Sequence, residues 1–295
     1  MCARRARSAG CGGLAGEFLK FLIALGCIGT WTGASEAPAG PLSERLPWLL
    51  ANSGKMAVPA FLYLAMNMLG FVALRRVDAG TFAVIQQSKV FFTAMWARVM
   101  LSRTLSVPKW CALTILVLGV TLISLQAQPK PACDTAAPMP AAATAAAGAS
   151  AFTVPQYAIG VVAVTTDSAL SGYATVYFEK VLKTTVLTVW DRNLQLAFWS
   201  MLIYCPMALY AHPTNPLHGW SSVTFLLALL GALGGVLVAL VIKHADGLAK
   251  NLATASSIVL TTAAGHVLFH GPMTPSIILS SLVVIVAGYT YQKVA

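Results

Sequence analysis

Charge is what this chain has least of. Only 9% of its 295 residues are Asp, Glu, Lys or Arg, against 58% hydrophobic, whereas a soluble domain averages about 25% charged. That shortage, together with repeated apolar stretches of membrane-crossing length, excludes a soluble fold and describes a polytopic membrane protein. Carboxylates are scarcer still, nine against 19 Lys and Arg, which argues against a proton pump built on a chain of acids. The six cysteines (Cys2, Cys11, Cys27, Cys111, Cys133 and Cys205) show no CxxC pairing and no metal-ligand spacing, so they read as unpaired membrane thiols. No Walker loop, nucleophile elbow or zinc motif is present, so there is no enzyme signature and no cofactor is called for.

What is present is a series of apolar runs bounded by charge, Pro or Gly. They predict an all-α, polytopic helical bundle of nine spans, near residues 12–32, 56–74, 79–101, 107–126, 154–178, 188–210, 221–242, 247–269 and 274–291. The fifth continues through "VYFEKVLK" and is expected to project beyond the membrane. Residues 126–150, rich in Ala and Pro, read as a linker. They divide the chain into an N-terminal half (1–126), a linker (127–152) and a C-terminal half (153–295). Residues 33–54 read as a second irregular loop. Trp48, Trp110, Trp190 and Trp220 fall near span ends, where indole favours the headgroup layer.

A net charge of +10 suggests nucleic acid in a soluble protein, but here most of it lies between spans. Arg45, Lys55, Arg103, Lys109, Lys180, Lys183, Arg192, Lys243 and Lys293 collect on one side, which the positive-inside rule makes cytosolic together with the C-terminus. Nine spans then put the N-terminal "ARRAR" on the wrong side. Either the first run does not span as drawn, or a further span precedes it; the second is the favoured expectation. Sliding the chain by 168 residues superposes Asp78 on Asp246, Ser88 on Ser256, Thr93 on Thr261 and Val99 on Val267. Such a shift points to a repeat of five spans. An odd number inverts the second copy and places a binding site at the midplane, with the first helix of the five-plus-five set missing here.

Ionisable groups inside the spans are few: Glu17, Lys20, Lys89, Arg98, Asp167, Lys250 and His266. Each costs about 2.5–3.5 kcal/mol at the bilayer centre and therefore wants a cavity or a partner. Arg98 is close enough to the cytosolic end to snorkel. His266 reads as a neutral interior histidine. Glu17 and Lys20, three apart on one helix face, either pair or line a cavity. Asp167 either pairs with the lysines or acts as a coupling group. Lys89 lies roughly 16 Å into its helix from Asp78, too deep for easy snorkelling. In antiparallel spans Lys250 would differ from it in depth by only about 8 Å. Both lysines can therefore face one cavity as unpaired cations, among Tyr63, Asn67, Gln86, Gln87, Ser88, Asn193, Gln195, Ser256 and Ser257. Two cations among neutral hydrogen-bonding groups suit a phosphate with polar attachments.

The stretches "SRTLSVPKWCALTILVLGVTLISLQ", "GYATVYFEKVLKTTVLTVWDRNLQL" and "VIKHADGLAKNLATASSIVLTTAAGHVLF" resemble the pyrimidine nucleotide-sugar transporters, the UDP-galactose, UDP-N-acetylglucosamine and CMP-sialic acid group of the drug/metabolite transporter superfamily. The resemblance implies a ten-helix carrier in inverted halves. Such a carrier exchanges cytosolic nucleotide sugar for lumenal nucleoside monophosphate in the Golgi membrane, with the endoplasmic reticulum as the alternative location. It implies that Lys89 in "QQSK" and Lys250 in "GLAK" grip phosphate and that Glu17 and Lys20 in "GEFLKFL" point to the sugar. It further implies that Tyr63 and Asn67 line the cavity, that Asn193 contacts the nucleotide and that Gly172 packs tightly. Phe82, where the family commonly has tyrosine, keeps a ring for base stacking beside Gln86. Asp167 stands where the family is usually apolar. The partners implied are nucleotide sugar, nucleoside monophosphate and lipid, with self-association left open and no role for nucleic acid. UDP is favoured over CMP. The alternatives are another carrier of phosphorylated or neutral metabolites, or a transport-inactive partner subunit associating through Gly231, Gly235 and Ala239.

Overall fold

The computed structural model describes residues 2–30, 42–126, 154–211, 222–269 and 273–293, with side chains described from residue 14 onward. The linker expected over 127–152, Trp220 and the "ARRAR" side chains lie outside the described residues. Among those residues every element is helical: α1 Cys2–Thr30, α2 Leu42–Ala51, α3 Gly54–Leu74, α4 Ala79–Gln87, α5 Lys89–Leu101, α6 Val107–Gln126, α7 Val154–Thr184, α8 Val189–Ala211, α9 Ser222–His244, α10 Gly247–Phe269 and α11 Pro275–Lys293. In hydrocarbon no water pairs with backbone N–H and C=O groups, so each apolar run must close its own hydrogen bonds as a helix. Four of the helices, α3, α6, α9 and α11, are long and apolar enough to cross a membrane by length and composition alone. α7 runs unbroken through "VYFEKVLK" for 31 residues, about 46 Å, longer than the hydrocarbon core.

The described residues pack as two units. One comprises Met1–Leu64 with Ala174–Lys250, the other Ala65–Tyr173 with Asn251–Ala295. Each draws on both sequence halves, and α3, α7 and α10 contribute to both.

In the first unit α1 packs against α8 and α9. Ala24, Ile28, Leu49, Leu187 and Leu194 form one buried cluster, and Met56, Ala60, Phe178, Leu182, Leu196 and Ile242 belong to another. The expectation of an irregular loop over 33–54 is corrected in part, because Leu42–Ala51 forms a helix even though it contains Pro47. Proline removes one backbone bond there. Leu49 is fully buried, and the Arg45 guanidinium donates to both oxygens of the buried Asp191 carboxylate, at 3.0 and 3.2 Å. Those contacts outweigh the lost bond. Asp191 also completes a capping box at the start of α8. Its carboxylate accepts from the Thr188 N–H at 3.0 Å, and its own N–H donates to Thr188 Oγ1 at 3.2 Å. Gln195, buried, donates to the Leu49 carbonyl at 2.7 Å and ties α8 to α2.

In the second unit α6 lies along α11 with Gly119 at the closest approach. A Cβ there would stand 2.7 Å from a Val284 methyl carbon. Gly172 of α7 meets the backbone of Phe92 and Thr93 in α5, where a Cβ would come within 2.7 Å of the Thr93 nitrogen. This is the tight packing the resemblance implied for it. Nearby, buried Asn251 donates to Thr93 Oγ1 at 3.1 Å.

The span expected over 79–101 is not one continuous helix. It breaks at Ser88 into α4 and α5. The Ser88 N–H bonds to the Ile85 carbonyl at 3.0 Å in a tighter, 3₁₀-type turn. The same carbonyl accepts from Ser88 Oγ at 2.6 Å and from Ser168 Oγ of α7 at 3.3 Å. Serine hydroxyls thus satisfy a carbonyl that the interruption partly releases.

The two residues superposed by the 168-residue shift, Asp78 and Asp246, make the same local structure. Asp78 accepts from the Thr81 N–H at 2.8 Å and Asp246 from the Ala249 N–H at 2.6 Å, each carboxylate capping the helix that follows.

Candidate substrate-binding site

Lys89 is the first residue of α5, immediately after the break at Ser88. Its side chain is half-buried. One turn earlier on α4, Gln86 donates its side-chain amide to Asp167 of α7, a residue only 5% exposed. The Ser168 hydroxyl lies 3.5 Å from Gln86 Oε1, which leaves the amide nitrogen facing the carboxylate. Lys89 follows Gln86 by one turn and so lies near this carboxylate, although no ion pair within 4 Å joins the two among the described residues. Phe82 packs against the cluster of Ala73, Ala163 and Val164, one turn before Gln86 on the same helix. Asn67, on α3 of the same unit, is exposed.

The first unit brings together three further residues singled out in the sequence. Lys20 Nζ lies 2.7 Å from Glu17 Oε1, so the helix-internal pair forms. Lys20 is 8% exposed despite its charge. Room for it comes from Gly235 of α9, where a Cβ would stand 2.6 Å from Lys20 Cε. Glu17 Oε2 is buried with no hydrogen-bond partner among the described residues. Tyr63 packs beside the cluster containing Phe178 and Leu182 and lies within electrostatic reach of Glu17.

Asn193 is buried in the same unit and donates its side-chain amide to the Val189 carbonyl at 3.0 Å. Lys250, half-buried, sits in the first turn of α10 with its N–H bonded to the Asp246 carbonyl at 3.1 Å. The backbone bond of Phe82 to the Asp78 carbonyl, 3.0 Å, is its counterpart under the 168-residue shift. Arg98 is exposed in the last turn of α5, in keeping with an anchoring role. His266 is corrected from an interior to an exposed position, because the last turns of α10 turn few residues inward.

Two features escaped the sequence. An ionisable residue in a span flagged Asp167, but only the packing of α7 on α4 supplied its partner. Residue order sets Gly235 beside Gly231 and Ala239 in a helix-association row. Instead Gly235 accommodates a lysine, while a Cβ at Gly231 would meet nothing within 4 Å among the described residues.

Comparison with known proteins gives one consistent result. The family model described as nucleotide-sugar transporter matches residues 11–292. A UDP-N-acetylglucosamine/UDP-N-acetylgalactosamine transporter of Caenorhabditis elegans is 35% identical over 83% of this chain and 70% of its own. The UDP-N-acetylglucosamine transporter of Homo sapiens is 33% identical over 80% of this chain and 70% of its own. The UDP-galactose transporter of Schizosaccharomyces pombe is 33% identical over 82% of this chain and 65% of its own. A crystal structure 12% identical in sequence aligns with a TM-score of 0.63, over 98% of this chain and 87% of that one, which shows a shared fold. With the family match running nearly end to end, this chain belongs to the nucleotide-sugar transporter family, whose members are transporters and not enzymes.

Proposed function

We propose that this protein is an antiporter that carries a UDP-sugar across the Golgi membrane in exchange for the nucleoside monophosphate, with its C-terminus in the cytosol. The observation that carries the reading is Lys89. It is a half-buried cation at a helix break, about 16 Å along its span from Asp78, in a chain whose relatives are UDP-sugar transporters. In this reading Lys89 and Lys250 neutralise the phosphates. Phe82 offers a ring to the base, with Gln86, Asn67 and Asn193 as polar neighbours of the nucleotide. Glu17, Lys20 and Tyr63 face the sugar end. A cation without its anion is costly inside a membrane, so the loaded carrier crosses more readily than the empty one. Exchange follows from that asymmetry.

The test is counterflow in proteoliposomes. Vesicles preloaded with UMP are expected to take up UDP-N-acetylglucosamine or UDP-galactose far faster than empty ones, and Lys89→Ala and Lys250→Ala are each expected to abolish the difference. A preference for CMP over UMP as the trans ligand would redirect the reading to CMP-sialic acid. Uptake unaffected by Lys89→Ala would defeat it.

A further inference from the structure

Asp167 has no place in the transport scheme above, yet it is a buried carboxylate within a predicted span. Such a group is expensive there unless something holds it. Two neighbours do. Gln86 donates an amide N–H to it from α4, and Lys89, one turn after Gln86 at the start of α5, brings the opposite charge to the same region. The hydrophobic residues packed on this stretch of α7 are Leu69, Val72, Ala73, Phe82 and Ile85. On α7 itself the adjacent polar groups are Thr166, whose hydroxyl donates to the Val162 carbonyl, and Ser168. Arg76 meets α7 at Gly160, seven residues away, about 10 Å along the helix. Of the two cations on α4 and α5, Lys89 and Arg98, Lys89 is the one that lies a turn from the Gln86 that binds Asp167.

We propose that Asp167 is the resident counter-anion of Lys89, and that a bound phosphate group takes over that role while the Asp167 carboxylate takes up a proton. The proposal rests on the reading of Lys89 as a phosphate-binding residue. With no ligand, one positive and one negative charge sum to zero. A diphosphate brought to Lys89 meets a carboxylate that repels it, and the repulsion is relieved when that carboxylate accepts one proton from solvent and becomes a neutral acid. Gln86 keeps its bond through the change, because the carbonyl oxygen of the acid still accepts from the amide. Binding is therefore linked to proton uptake, and affinity rises as pH falls. The same pairing lowers the cost of crossing empty, so exchange is less strictly coupled than a Lys89 with no carboxylate nearby would enforce.

The ligand for the test is UDP-N-acetylglucosamine. Its phosphates are esterified at both ends and carry no proton that titrates near neutrality, unlike a monoester with a second pKa of about 6. Titration calorimetry of the full chain in nanodiscs, in two buffers of different ionisation enthalpy, counts the protons taken up. For the wild type we expect a measurable uptake of up to about one proton per ligand and a dissociation constant that falls as pH is lowered from about 8 to about 5.5, a range spanning neutrality. Asp167→Asn is expected to bind up to about tenfold more tightly at neutral pH, with the pH slope and the proton uptake both gone. Should that variant not fold, the wild-type proton count decides alone. Binding with no proton uptake, or an Asp167→Asn protein that keeps the wild-type slope, overturns this proposal and leaves the nucleotide reading standing. No binding at any pH overturns both.

Discussion

Gly235 and Lys20 stand closer than any other residue at position 235 would allow, since a Cβ there would lie 2.6 Å from Lys20 Cε and 3.1 Å from Nζ. The obstructed atoms are the far end of a flexible side chain. Gly235→Ala is therefore expected to fold with a thermal midpoint near the wild type while displacing the ammonium from Glu17. The expected consequence is a KM for UDP-sugar raised by up to about tenfold, or about 1.4 kcal/mol. Initial rates of uptake and a thermal-unfolding curve on the same preparation check both halves.

Gly172 presents the opposite case. A Cβ there would meet backbone, within 2.7 Å of the Thr93 nitrogen and 2.8 Å of the Phe92 carbonyl carbon, and backbone cannot step aside. Gly172→Ala should destabilise the second unit by about 1–3 kcal/mol. Gly288→Ala, at a position inside α11 with nothing within 4 Å among the described residues, should leave the unfolding midpoint unchanged or slightly raised, since Ala favours the helix, and serves as the control.

The Arg45–Asp191 pair joins α2 to α8 with the carboxylate fully buried. Arg45→Met takes from that carboxylate the guanidinium that donates to both its oxygens, at an expected cost of up to about 3–5 kcal/mol. Asp191→Asn in the Arg45→Met background removes the buried charge and should recover part of the loss. A double-mutant cycle on thermal stability measures the recovery, and strict additivity would argue against the pair as a structural tie.

Asp78 caps α4 outside the predicted spans, and the Thr81 backbone N–H, its largest influence, holds its carboxyl below the ordinary carboxylate pKa. A depressed folded-state pKa stabilises above the unfolded value, and that contribution is lost as pH falls through the folded one. Asp78→Ala should cost about 1 kcal/mol near neutrality. The deficit against wild type should shrink on acidification below about pH 4, which paired melting curves at neutral and acid pH would show.

Much of this was legible in residue order alone. Apolar runs of membrane length could only become helices, because hydrocarbon offers the backbone no other partner. The same runs made Glu17, Lys20, Lys89 and Asp167 conspicuous, since charge is costly there whatever the fold. The 168-residue shift matched Asp78 to Asp246, and the structure shows that each caps the helix that follows, a local role within reach of three residues. What residue order left open was which distant groups meet. Asp167 is 81 residues from Gln86, so their hydrogen bond depended on how α7 packs against α4. The break at Ser88 is stabilised by a hydroxyl from another helix. Gly235 accommodates a lysine 215 residues away. Local hydrogen bonding and hydropathy depend on neighbours in sequence, whereas the partner of a buried charge depends on neighbours in space, and these only tertiary packing decides.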